Sequence, residues 1–187
     1  MPDREAYLRN IFGEHFRTTP VEELELRLEC QNLLFRINSS SPEEIELRQE
    51  CFANLLGAWD DTVHIEPPFR CDVGKNTFIG RGTFINYGCT ILDTAKVQIG
   101  ERCWIAPNVQ IYAATHPVNA EERRKRCIAK PITIGNDVWL GGSVIICPGV
   151  TIGDRAVIGA GSVVTKDIPS DVVAFGNPCK VHRTIEQ

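Results

Sequence analysis

Aliphatic side chains recur at every sixth position through the middle of this chain, and few patterns constrain a fold more tightly. The first run is Val73, Ile79, Ile85, Ile91 and Val97; after a two-residue slip it continues through Ile99, Ile105 and Ile111. It resumes at Ile134, Leu140, Ile146, Ile152, Ile158 and Val164. Four places after the anchors stand small or β-branched residues: Thr77, Thr83, Cys89, Ala95, Cys103, Val109, Thr115, Val138, Val144, Val150, Ala156 and Ser162, with the larger Ile168 last. A period of six suits no helix of 3.6 residues per turn, and the density of glycine and β-branched residues opposes helix formation. Each hexad instead reads as one short strand and one turn. Glycine often follows the anchor (Gly74, Gly80, Gly100, Gly135, Gly141, Gly153, Gly159), which is expected where a tight corner demands backbone angles that a Cβ resists. Stacked hexads place the anchors in columns inside a prism, each coil burying its face on the next. The chain is therefore predicted to be mainly β, a parallel β-helix of hexapeptide repeats spanning residues 73 to 169.

Two stretches depart from the repeat. Between Thr115 and Ile132 runs HPVNAEERRKRCIAKP, too polar for the prism interior, so residues 116 to 131 must loop out. Long excursions from a compact repeat are usually functional or disordered. Upstream, Thr19-Pro20-Val21-Glu22 and Ser41-Pro42-Glu43-Glu44 each place a cap residue, a proline and an acid in helix-starting order. Two helices are expected to follow. The first carries Val21, Leu24, Leu28 and Phe35 on one stripe; the second carries Ile45, Phe52, Leu55 and Leu56 before a stop at Gly57. Such a pair buries too little by itself and should pack on the β-helix or on a neighbouring subunit. The expected organisation is a helical segment over 1–60 and a β-helix domain over 61–187, ending in a tail over 170–187.

A chain of 187 residues with 20 basic and 24 acidic side chains carries a net charge of −4, which argues against nucleic-acid and anionic-membrane partners. The first ten residues hold no apolar signal region, and no apolar run approaches the roughly eighteen residues that a bilayer span requires. A cytoplasmic location is expected. In a reducing compartment the eight cysteines stay unpaired, and none stand at CxxC spacing, so no metal is expected.

His116 ends the stretch IYAATHP, where a strand meets the excursion. Imidazole titrates near neutrality and suits a general base, although a lone histidine can equally be a surface residue. Asn86 occupies a corner slot that glycine often fills, either to line a polar site or because asparagine tolerates left-handed angles. Asp93 follows in the next hexad, and Asp72 precedes the first full hexad. Lys166, Lys180 and Arg183 supply positive charge suited to phosphates, with solvated surface as the alternative. Trp139 precedes an anchor, so its ring should lie outside the coil, open to a ligand or a subunit.

Several stretches together resemble the maltose and galactoside O-acetyltransferases of the hexapeptide-repeat acyltransferases: IEPPFRCDVG, FINYGCTILD, IYAATHP, KPITIGNDVWLGG, PGVTIGDRAVIGAGSVVTKDIP and GNPCKV. The resemblance covers nearly all residues. It implies a left-handed β-helix with an N-terminal segment of maltose acetyltransferase type. It also implies a homotrimer with acetyl-CoA, as co-substrate, bound between adjacent prisms and no metal.

Position by position, the resemblance makes His116 catalytic and places Asp72, Asn86 and Asp93 against the acceptor. Trp139, Gly142, Ala160, Thr165, Lys166, Lys180 and Arg183 fall to the coenzyme. The implied activity is transfer of acetyl from acetyl-CoA to a hydroxyl of a sugar or similar small molecule. A non-sugar acceptor such as a xenobiotic or antibiotic, and a non-catalytic scaffold, are the alternatives. Two features depart from the pattern: HFRTTP lacks an early carboxylate that some relatives place near the sugar, and EERRKRCIAK is unusually basic.

Overall fold

The computed structural model describes residues 3–13, 16 and 19–186. His15, Arg17 and Thr18 of the HFRTTP stretch lie outside them. Hexads wind into a three-faced prism whose strands are two or three residues long and pair in parallel with those of the next coil. The first face stacks Thr77–Ile79, Val97–Ile99, Ile132–Ile134 and Thr151–Ile152. The second stacks His64–Ile65, Phe84–Ile85, Trp104–Ile105, Trp139–Leu140, Val157–Ile158 and Val172–Gly176. The third stacks Arg70–Cys71, Thr90–Leu92, Gln110–Tyr112, Ile145–Ile146 and Val163–Val164.

Anchors Ile79, Ile99, Ile134 and Ile152 form one inner column, Ile85, Ile105, Leu140 and Ile158 another, and all are buried. Complete burial of side chains this size contributes about 1.5–3 kcal/mol each, so the columns dominate the fold. Polar residues inside are bonded. Thr83 Oγ1 donates to the Gly100 carbonyl at 2.9 Å and accepts from Cys103 N at 3.0 Å.

The apparent run through Val73 and Val97 is corrected by the pairing. Ile79 stands over Ile99, and Val97 pairs with Thr77 at the start of its strand. Cys71, not Val73, is the partner of Ile91. The slip is thus confined to one edge of the prism, where the third face turns into the first. Across that edge Cys71 leads to Ile79 and Ile91 to Ile99 in eight residues, whereas Ile146 leads to Ile152 in six. Ile111 leads to Ile134 in 23, because the excursion leaves from the same edge.

The glycines also need a different explanation. At the edge after the first face, Gly80, Gly100, Gly135 and Gly153 have no positive φ. A Cβ on Gly80 would meet the Gly100 carbonyl carbon at 2.6 Å, and one on Gly100 the Gly135 carbonyl oxygen at 2.5 Å. Glycine is there because successive coils touch backbone to backbone. Left-handed residues come instead three places after the anchor, at Gly82, Arg102, Asp137, Arg155 and Asp171 on this edge. Their side chains form a ladder. Arg102 grips Asp137 with two bonds of 2.8 and 2.9 Å, and Arg155 grips Asp171 with two of 2.6 and 2.7 Å. The guanidinium of Arg102 holds the Asp137 carboxyl below the usual carboxylate range.

Among the described residues three α-helices precede the prism, not two: α1 (Arg4–Phe12), α2 (Val21–Ser39) and α3 (Ile45–Leu55). The stripe expected on α2 is rotated. Leu24, Cys30, Leu34 and Ile37 are its buried residues, while Phe35 is 73% exposed. One stripe does not suffice because α2 lies against α1 and α3 and also against the prism. Ile45 of α3 is likewise exposed, and Phe52, Leu55 and Leu56 are buried. Neither Pro20 nor Thr19 supplies a side-chain cap to α2. Ser41 and Glu44 do close on each other, with Ser41 N donating to Glu44 Oε2 at 2.7 Å, but α3 starts only at Ile45.

The helices seal the first coil. Asn38 bonds both backbone atoms of Phe69 at 2.9 Å, Gly57 N donates to Thr77 O, and Cys30 Sγ lies 3.6 Å from Cys71 Sγ. Cys30, Leu34, Ile37, Phe52 and Leu55 belong to the same hydrophobic core as the coils. At the far end Cys179–Thr184 returns antiparallel against Val172–Gly176 and closes the second face. No helix among the described residues is long and apolar enough to cross a membrane.

Candidate active site

The excursion is a built arm. Ala114–Thr115 pairs antiparallel with Ile128–Ala129, and Lys130 N donates to Ala113 O at 2.9 Å, so the arm's two ends meet where it leaves the prism. Beyond the pairing lies a single helical turn, α4 (Ala120–Arg123), capped by Asn119 Oδ1 at 2.9 and 3.1 Å. Part of its basicity is compensated within the arm, since Arg126 pairs with Glu122 at 2.6 Å and Arg124 with Glu121 at 3.7 Å. His116 follows Thr115 at the root of the arm. It is exposed and makes no hydrogen bond among the described residues.

The candidate residues fall on two edges of the prism. Asp72, Asp93, Thr165 and Lys166 follow strands of the third face, and His116 follows the arm strand Ala114–Thr115, which leaves the prism after Gln110–Tyr112 of that same face. Asn86, Gly142 and Ala160 follow strands of the second, with Trp139 on that face itself and Lys180 and Arg183 on the returning strand that closes it. Backbone bonding aligns the second group: Asn86 N donates to Ile105 O, Gly141 N to Ile158 O, and Gly161 N to Gly142 O, all at 2.8–2.9 Å. The whole third face separates the two sets within one chain.

The two acidic candidates are in contact. Asp93 is fully buried, and its Oδ1 accepts from Asp72 N at 3.1 Å and Val73 N at 2.9 Å while Oδ2 accepts from Thr77 Oγ1 at 3.0 Å. Burial pushes its carboxyl above the ordinary range against those lowering bonds. Both oxygens are thus committed to holding the corner, and Asp93 presents no open face to an acceptor. Asp72 is half-buried; its carboxylate accepts from Thr94 Oγ1 at 3.2 Å and lies 3.5 Å from Arg27 of α2.

Asn86 is not left-handed, which removes the conformational explanation for it; its Oδ1 accepts from Tyr87 N at 2.8 Å. Its amide nitrogen has no partner among the described residues.

Trp139 is 55% exposed and takes its place in an outer aromatic row on the second face. His64 stacks on Phe84 at 5.5 Å, Phe84 lies 6.0 Å from Trp104, and Trp104 is in register with Trp139. Sequence reading singled out one rung of this row. The others were visible as the residues just before anchors Ile65, Ile85 and Ile105.

Lys166, Lys180 and Arg183 are exposed cations without an ion-pair partner among the described residues. Phe175 and His182 stack face to face at 3.5 Å beside the last two. No group of three or more His, Cys, Asp or Glu that could hold a metal occurs among the described residues.

Residues 131–166 match the bacterial transferase hexapeptide family (six repeats). The galactoside O-acetyltransferase of Escherichia coli is 46% identical over 162 residues, covering 86% of this chain and 80% of the relative. The chain belongs to the galactoside and maltose O-acetyltransferases. Solved structures agree. A maltose O-acetyltransferase from Clostridium difficile superposes with a TM-score of 0.87 at 45% identity, covering 89% of each chain. A galactoside acetyltransferase in complex with coenzyme A gives 0.88 at 44%, covering 90% of this chain and 85% of the other. Membership makes this protein an acetyltransferase using acetyl-CoA, with the coils as its scaffold.

Proposed function

We propose that this acetyltransferase moves an acetyl group from acetyl-CoA to a carbohydrate hydroxyl by direct attack, with His116 as general base. The observation that carries the reading is the setting of His116: an exposed imidazole, without a hydrogen bond among the described residues, at the root of an arm built onto the prism. His116 takes the proton from the acceptor hydroxyl as that oxygen attacks the thioester carbonyl, and the thiol leaves with a proton. Asn86, whose amide nitrogen has no acceptor among the described residues, supplies a donor for the acceptor sugar or for developing oxyanion charge. Asp72 orients the acceptor, and Asp93 acts through the corner it holds.

Division of the candidate residues between two edges supports a homotrimer with sites between subunits. A cleft between neighbouring prisms can join the edge carrying His116, Thr165 and Lys166 to the edge carrying Asn86, Gly142 and Ala160. Glycine and alanine there leave room for a pantetheine arm against Trp139, and Lys180 and Arg183 meet the phosphates. Eight unpaired cysteines suit the reducing cytoplasm.

The test is kinetic. Replacing His116 with Ala should lower kcat by about 10²–10⁴-fold, the range for loss of a general base, while acetyl-CoA binding by calorimetry stays within about twofold. Undiminished thiol release with an accepted sugar would remove His116 from the mechanism. A panel of galactosides, maltose, glucose and non-sugar alcohols ranks the acceptor.

A further inference from the structure

Within the arm, one arginine is used differently from its neighbours. Arg124 and Arg126 are neutralised by Glu121 and Glu122. Arg123 pairs with no carboxylate among the described residues; its Nη1 turns back and donates to the carbonyls of Val118 at 3.2 Å and Pro117 at 3.5 Å. These are the carbonyls of the two residues directly after His116. Asn119 closes the same turn from the other side by capping α4, and Arg123 N donates to Asn119 O at 3.0 Å. Before His116, Cys127 Sγ donates to Thr115 O at 3.2 Å, and Thr115 pairs with Ile128. The chain is therefore held on both flanks of His116 by groups from the far limb of the arm, while the imidazole between them stays unbonded.

We propose that Arg123 is a positioning residue for His116: by bracing the carbonyls of Pro117 and Val118 it fixes where the backbone delivers the imidazole. The proposal rests on His116 being the base. A backbone brace suits the chemistry, since a displacement of about 1 Å at a reacting group can cost 10²-fold in rate. Such a brace fixes where the ring sits and leaves both ring nitrogens open, one of them to take the substrate proton. Both bonds come from Nη1, whose two N–H groups are held in the rigid guanidinium plane, whereas the ammonium of lysine rotates freely on a flexible stem.

The experiment uses the full chain, acetyl-CoA and an accepted galactoside. Arg123→Ala should lower kcat about 10- to 100-fold with both KM values within about twofold, and Arg123→Lys should recover part of the loss. Arg124→Ala, the same charge change one residue on, should keep the parent rate. Asn119→Ala loosens the turn without removing a charge and should reproduce the kcat loss, with circular dichroism and thermal midpoint unchanged in each variant. Parent-like kcat in Arg123→Ala alongside an inactive His116→Ala overturns the brace and leaves the base intact. A raised acceptor KM at parent kcat also overturns it, making Arg123 a substrate contact. Full turnover by His116→Ala sinks both readings together.

Discussion

Two edges of the same prism obey opposite rules. Where the first face turns into the second, each passage from anchor to anchor takes six residues, glycines let backbones touch, and a ladder of arginine and aspartate runs outside. Where the third face turns into the first, the passage takes eight residues twice, then 23, then six. The invariant edge sets the rise from coil to coil. The variable edge carries Asp72, Asp93 and the arm with His116. Stacking regularity and chemical individuality are thereby assigned to different corners of one repeat.

The largest expected break in this contrast comes from removing the arm. Replacing residues 114–129 with a single glycine returns the passage from Ile111 to Ile134 to eight residues, as in the two coils below. Because Lys130 N already bonds Ala113 O, the coils should close without strain. The expected protein unfolds cooperatively in urea near the parent midpoint but has lost turnover beyond detection. A collapsed midpoint would mean the arm is part of the scaffold.

Gly100→Ala probes the opposite edge. Its Cβ would lie 2.5 Å from the Gly135 carbonyl oxygen, so the coils must separate. Overpacking of this kind costs about 1–3 kcal/mol, readable as a lower urea midpoint; parent stability would show that the backbone contact is not what selects glycine.

Asp93→Asn gives a smaller, pH-dependent effect. Burial raises the folded-state carboxyl pKa above its unfolded value near ~3.9. Between the two values the native state holds the extra proton, so stability from this group is greatest at low pH and falls as pH rises through the window. Asparagine cannot ionise. The stability of the parent minus that of the variant, from thermal midpoints between about pH 3.5 and 6.5, should therefore decrease with pH; a flat difference would contradict burial as the dominant influence. Smallest of all is Arg102→Ala. Its pairing with Asp137 is solvent-exposed, and surface pairs contribute little, so the thermal midpoint should barely move at neutral pH.

The prism was legible in the sequence because one anchor per six residues is a burial pattern, and burial is what the fold rewards. Val97 shows the limit. It is aliphatic, buried and at the right spacing, yet it begins a strand whose anchor is Ile99. Only pairing with Thr77 and Ile79 separates the two, and pairing is non-local. The helices show another limit. A single amphipathic stripe describes one partner, and α2 has three in α1, α3 and the prism, so Phe35 was assigned inward and lies outward.

Among the candidate site residues, His116 was findable from the break in the repeat. The burial of Asp93 was not, because its partners Asp72, Val73 and Thr77 lie 16 to 21 residues away and meet it only after a full coil. Arg123 was hidden among five consecutive polar neighbours in EERRKR, which differ in what their side chains reach and not in type.

The ends of the prism have a consequence of their own. Parallel strands stacked rung upon rung are the geometry from which fibrils grow, and an open terminal rung is a template for the next chain. Here the last rung of the second face is occupied by its own antiparallel return, Cys179–Thr184, and the first coil is sealed by helices through Asn38 and Gly57. A helix and a reversed strand cannot continue a parallel stack. At those two places the parallel stack that gives the molecule its rigidity is kept from propagating into a neighbour.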